Sequence, residues 1–113
     1  MAARKINLGT FASGEIPFPV LHAFKRGDSA VDLTGWTPFV MIEGPDETVT
    51  YGNGVVTIDG SPTLGVVMYE WDSADMVDFG KYRMLIWVED GTYRLASDLV
   101  IYEVYDGPGP TPT

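Results

Sequence analysis

The chain has 113 residues, a net charge of −9, 45% hydrophobic residues and no cysteine. One domain of ordinary size uses about 100 to 150 residues, which leaves no room for a two-lobed enzyme. The acidic balance argues against nucleic acid, whose affinity comes from Lys and Arg displacing counterions. No apolar run approaches the ~20 residues that cross a bilayer as a helix, so no membrane partner is expected. The lack of cysteine removes disulfides, thiolate metal sites and cysteine nucleophiles together, and suits synthesis in a reducing cytoplasm.

The first residues, Met1 to Asn7, include Arg4 and Lys5 but no apolar signal-peptide core of ~7 to 15 residues behind them. Residues 1–27 hold Arg4, Lys5, Lys25 and Arg26 against Glu15 alone, whereas the remaining chain sets three basic residues against fifteen acidic ones. Three regions follow. Residues 1–13 read as a basic arm with a first strand, residues 14–105 as the domain, and residues 106–113 as a Pro/Gly-rich tail without a hydrophobic anchor. The basic arm is expected to dock on an acidic neighbour, another copy of the chain included.

Short apolar stretches bounded by Gly, Pro, Asn and Asp predict strands near residues 5–11, 16–24, 36–43, 48–51, 55–59, 65–71, 81–89, 92–96 and 98–105. In the second of these, Ile16, Phe18, Val20 and His22 share one alternation, so His22 reads as a partly buried packing residue. Pro17 and Pro19 remove two backbone donors from one side of that strand, which makes it an edge or a crossing between sheets. Asn53-Gly54 and Asp90-Gly91 each lie between strand stretches and predict tight hairpins, because both dipeptides tolerate positive φ. In strand 65–71 the inward set is Val67, Tyr69 and Trp71. "WDSADMVD" predicts one helical turn with Asp72 as its cap and Asp75 at its electropositive end. In strand 81–89, Tyr82, Met84, Ile86 and Val88 point inward, while Lys81, Arg83, Leu85, Trp87 and Glu89 point out.

Asp78-Phe79-Gly80 matches the triplet that holds magnesium in protein kinases, but the glycine-rich loop, the strand lysine and the catalytic loop that must accompany it are missing. The same stretch, read as Asp78-x-Gly80-x-Tyr82, has the spacing of a tyrosine corner, in which a tyrosine hydroxyl folds back on the backbone just upstream. The predicted fold is therefore all-β, an immunoglobulin-like antiparallel sandwich of about seven to nine strands without cysteine.

The order "VDLTGWTPFVMI", "VVTIDG" and "GVVMYEWDSADMVDFGKYRMLIWVEDG" resembles the immunoglobulin-like N-terminal domain of phage baseplate upper proteins and related small virion proteins. Asp32-Leu33-Thr34-Gly35, Gly65-Val66-Val67-Met68-Tyr69, Gly80-Lys81-Tyr82 and Asp90-Gly91 carry the resemblance, which covers roughly residues 14–104. It implies a virion structural protein of the tail tip or baseplate that acts by assembly with other virion proteins. The compact single-domain length suits a second location, a capsid decoration protein on major capsid subunits.

Chemistry finds few residues to work with. His22 is the single histidine, there is no G-x-S-x-G elbow, and no glycine-rich phosphate loop precedes a helix. Asp72, Asp75 and Asp78 are the one carboxylate grouping with calcium-like spacing, and each has a competing structural role. No catalytic residue, cofactor, metal or small-molecule substrate is assigned. Arg4, Lys5, Leu85 and Trp87 are the expected assembly contacts, with stacking of outward aromatics on a host-surface carbohydrate as a further alternative.

Overall fold

The computed structural model describes residues 5–106. Arg4 and the tail from Gly107 onward lie outside the described residues. Eleven strands follow in order: β1 (Lys5–Ala12), β2 (Val20–Ala23), β3 (Lys25–Arg26), β4 (Ser29–Ala30), β5 (Thr37–Glu43), β6 (Val49–Tyr51), β7 (Val55–Ile58), β8 (Val66–Glu70), β9 (Gly80–Glu89), β10 (Arg94–Ala96) and β11 (Leu99–Tyr105). The larger sheet runs β1-β11-β9-β5-β6 with β10 also on β9, the smaller sheet runs β2-β8-β7, and β3 pairs β4 separately. Strands B, E and D of an immunoglobulin sandwich correspond to β2, β8 and β7, and strands C, C′ and F to β5, β6 and β9, with β10 and β11 as G. The fold is an all-β, immunoglobulin-like sandwich.

Period-two alternation explains which side chains enter the core. Tyr82, Met84, Ile86 and Val88 of β9 are buried, as are Val67 and Tyr69 of β8 and Trp71 just beyond it. Val40 and Ile42 of β5 and Val100, Tyr102 and Val104 of β11 complete the larger sheet's inner face. Three aromatic contacts tie the layers together: Tyr69 meets Trp71 edge-on at 5.1 Å, Trp71 meets Tyr102 edge-on at 5.1 Å, and Tyr102 stacks on Tyr82 at 4.7 Å.

Four sequence expectations change. First, β1 is not a separate arm ending at residue 13. It pairs in parallel with β11 and packs Leu8 and Phe11 on the core, so the sandwich is mixed and not wholly antiparallel. Second, residues 16–19 form no strand; the two prolines leave them unpaired as the chain passes from the larger to the smaller sheet, and Ile16 and Phe18 are exposed. Third, Asn53-Gly54 is a crossover and not a hairpin, since β6 pairs β5 while β7 pairs β8. The hairpin at this place is β5-β6, closed by Gly44 N–H donating to Thr48 O at 3.1 Å. Fourth, the Asp90-Gly91 hairpin is looser than a two-residue primed turn: Asp90 N–H bonds Tyr93 O, and Gly91 alone of the pair takes positive φ, at 96°. The Asp90 carboxylate accepts from the N–H groups of Thr92 and Tyr93 at 2.9 and 2.7 Å.

Strands β10 and β11 are two halves of one partner to β9, broken by a one-residue bulge. Arg94 lies opposite Glu89 and Val100 opposite Met84, so one residue is extra between them. Ser97 fills the break, its Oγ accepting from Ile86 N–H at 2.9 Å while its own N–H donates to Ile86 O at 2.7 Å.

The crossovers at one end of the sandwich meet on a single carboxylate. Asp72 caps the 3-10 turn Ser73–Met76 by accepting from Ala74 N–H, and Asp75 returns the bond by accepting from Asp72 N–H, a capping box. Asp75 is only 4% exposed and also accepts from Tyr69 Oη at 2.6 Å, from Asn53 N–H at 2.9 Å and from Asn53 Nδ2 at 3.1 Å. Tyr69 Oη in turn accepts from Gly54 N–H at 2.9 Å. Burial, reinforced by the Asp75 hydrogen bond, pushes the Tyr69 hydroxyl well above the ordinary tyrosine range, which keeps it a donor. Gly54 is required by space: a Cβ there would overlap the Glu70 carbonyl oxygen.

Replacing Asp75 by Ala leaves the donors of Asn53, Asp72 and Tyr69 unpaired. The expected loss is about 3 kcal/mol or more, larger than that of Tyr69→Phe. Urea denaturation checks this, and a loss below about 1 kcal/mol, the worth of one ordinary hydrogen bond, would show that the carboxylate does not join the crossovers.

Candidate assembly surface

The residues singled out in the sequence fall into two places. The corner set is internal. Tyr82 Oη donates to Asp78 O at 2.6 Å, at the start of β9 where the chain enters the larger sheet. Gly80 takes φ of 127°, and a Cβ on it would come within 2.7 Å of Pro45 Cβ, so the glycine serves both conformation and close approach. Asp78-Phe79-Gly80 is thus used as backbone geometry around a tyrosine. Tyr82 reaches Trp71 through the intervening ring of Tyr102.

The second place is the outer face of the larger sheet. Register sets Phe39 opposite Trp87, and Met41 opposite both Leu85 and Tyr51, all on the side away from the core. The Phe39 and Trp87 rings stack at 6.1 Å with an interplanar angle of 5°, and Phe39 meets Tyr51 edge-on at 6.4 Å. Together with Thr37, Glu89 and Arg94 they line an open hollow of about 460 Å³. A smaller hollow of about 180 Å³ continues the patch past Met41, Leu85, Leu99 and Val49. Ion pairs bracket the patch, Arg83–Glu43 at 3.1 Å and Arg94–Glu89 at 2.9 Å. Exposed pairs of this kind contribute little stability, so their place is a polar rim around an aromatic centre.

Leu85 and Trp87 are half-buried, their flanks covered by neighbours in the same sheet. Lys5 begins β1 and is exposed opposite Leu99, at the far side of the same face. Arg4 lies outside the described residues. Sequence reasoning missed Phe39, Met41 and Tyr51, which join Trp87 only through strand register. The alternation Thr37, Phe39, Met41 against Pro38, Val40, Ile42 was the available signal, since both sets are apolar enough to bury.

The remaining candidates are structural in their contacts. His22 is half-buried, edge-on to Phe24 at 4.5 Å and opposite Val67 in β8. Among the described residues no three His, Asp or Glu side chains gather in a way that could hold a metal ion. Asp72 and Asp75 are engaged in the capping box, and Asp78 offers its carbonyl to Tyr82. No protein-family model matches the chain, and no curated protein matches it.

Two hydroxyls on stacked rings make opposite expectations. Tyr82→Phe removes the bond to Asp78 and is expected to cost about 0.5 to 1.5 kcal/mol. Tyr102→Phe removes a buried hydroxyl that has no hydrogen-bond partner among the described residues, so it is expected to be neutral or stabilising. Equal losses in paired denaturation curves would count against the corner.

Burial holds the His22 imidazole below its ordinary value of 6.5, with Asp98 opposing part of that shift. Between the lowered value and 6.5 the unfolded chain binds more protons than the folded one. Stability linked to His22 is therefore complete above that window and falls as pH drops through it. Comparing melts of the native chain and His22→Gln at pH 7 and pH 5 checks this: the native chain should lose more on acidification.

Proposed function

We infer that the protein is a non-enzymatic virion structural protein that works by protein–protein assembly through the outer face of its larger sheet. The observation that carries the reading is the aromatic patch of Phe39, Trp87, Tyr51 and Met41, held on rigid strands and rimmed by ion pairs. A fold of this size has no structural need for four large apolar side chains outside its core, and contiguous patches of this kind mark interaction sites. Tyr and Trp on strands lose little entropy when covered, which suits them as anchors.

Charge supports the same surface. Lys5, Lys81, Arg83 and Arg94 share this face with Glu43, Glu89 and Glu103, while the rest of the described chain sets thirteen carboxylates against Lys25 and Arg26. A partner that approaches elsewhere meets uncompensated negative charge. The resemblance of the sequence to baseplate upper protein domains supports a phage tail tip or baseplate as the site of that assembly. The stacked Phe39–Trp87 pair beside Glu89 and Arg94 also favours a second reading, a sugar-binding platform, because planar rings beside polar groups suit a pyranose.

Trp87→Ala, or deletion of residues 1–5, is expected to leave the domain folded and to lower its incorporation into particles at least tenfold, as loss of an anchor worth ~2 kcal/mol implies. Quantitative mass spectrometry of purified virions reads this, with circular dichroism as the folding control. Full incorporation of both variants would show that assembly uses other surfaces, and glycan binding abolished by Trp87→Ala would favour the sugar platform.

A further inference from the structure

Phe18 is 94% exposed, the most exposed of the large apolar side chains among the described residues, and Ile16 two residues before it is 65% exposed. They belong to Ile16-Pro17-Phe18-Pro19, which crosses the open side of the sandwich between β1, the edge of the larger sheet, and β2, the edge of the smaller one. The prolines fix φ and remove two N–H groups, so this segment is stiff and poorly suited to adding a strand. It presents Phe18 as a preformed apolar knob whose ordering has already been supplied by the backbone, and such anchors bind with little further entropy loss.

The sheet order places this knob and the aromatic hollow at opposite sides of the molecule. The knob stands beside β1 and the hollow lies on β9, β5 and β6, at the other end of the order β1-β11-β9-β5-β6. A chain therefore cannot fill its own hollow, but a neighbour can. We propose that Phe18 of one copy inserts into the Phe39/Trp87/Tyr51 hollow of a second copy, giving a head-to-tail contact that repeats from copy to copy. This rests on the reading of the outer face as an assembly surface and names its occupant.

Charge decides between this arrangement and a symmetric face-to-face pair. The hollow's face sets Lys5, Lys81, Arg83 and Arg94 against Glu43, Glu89 and Glu103, a small positive excess with two of the cations already paired, so two such faces gain no attraction from charge. Head-to-tail contact sets that face against a body in which thirteen carboxylates outnumber two cations. Attraction of opposite charge then adds to burial of the ring, and it weakens as salt screens it. A heterologous contact closes into a ring or continues as a filament, whereas a symmetric one stops at two.

The experiment uses the whole chain in sedimentation velocity, from roughly 1 µM to 1 mM, the range in which weak to moderate self-association shows. Phe18→Ser removes the knob, and Tyr51→Glu blocks the hollow at an exposed position on an edge strand; neither side chain supports the core. The native chain is expected to gain mass with concentration, and each variant alone to associate at least tenfold more weakly. An equimolar mixture of the two should recover a species of two chains, because one supplies the knob and the other the hollow. A native chain that stays monomeric throughout would overturn the proposal, even where Tyr51→Glu lowers particle incorporation and so leaves the surface reading standing. Native-like association of either variant alone, or a mixture that recovers no pair, would overturn it as well.

Discussion

The Asp75 carboxylate is the constraint on which the rest of the fold depends. Four bonds reach it from three separate pieces of chain: the end of β8 through Tyr69, the β6-β7 crossover through Asn53, and the 3-10 turn through Asp72. Both connections that carry the chain between sheets at this end, β6 to β7 and β8 to β9, are thereby fixed to each other. Buried carboxylates are costly unless every oxygen is satisfied, and here both oxygens accept two bonds each. The same requirement makes the site specific, because a slip of any one segment strands a buried charge.

From that end the geometry propagates along β9. The turn after Asp75 delivers Asp78 and Gly80 to the corner, Tyr82 anchors the strand to its own approach, and the alternation that follows is then set for ten residues. A strand with one side chain fixed in the core has no freedom over the others. Tyr82 inside therefore entails Arg83, Leu85 and Trp87 outside. The outer face is a consequence of the corner, and the apolar character of that face is the sequence's own addition to it.

Such a face is a liability unless it is covered, and among the described residues β6 and β1 are the edges of the same sheet. The sequence manages these edges differently. β1 runs parallel to β11 with a register shift between Asn7 and Thr10, and β6 is only three residues long. Short or irregular edges discourage indiscriminate strand pairing. Association is thereby channelled to side chains, which discriminate by shape and charge where backbone edges do not.

The amino-acid sequence determined most of the strands, the inward residues of β8 and β9, the tyrosine corner, the turn capped by Asp72, and the broken ladder at Pro17 and Pro19, though not whether that break is an edge or a crossing. Each is a local matter: alternation, turn chemistry, the φ that proline fixes, or a spacing of three or four residues. Pairing was beyond it. Asn53-Gly54 has hairpin chemistry, yet Gly54 is spent on a close approach to Glu70, a residue brought near by folding. Whether Phe39 lies beside Trp87, or β1 beside β11, depends on contacts between segments dozens of residues apart, and period-two alternation is the same for every possible partner. Only the tertiary structure, by closing one core around Asp75 and Tyr82, decided which outward side chains became neighbours and so where a binding surface exists.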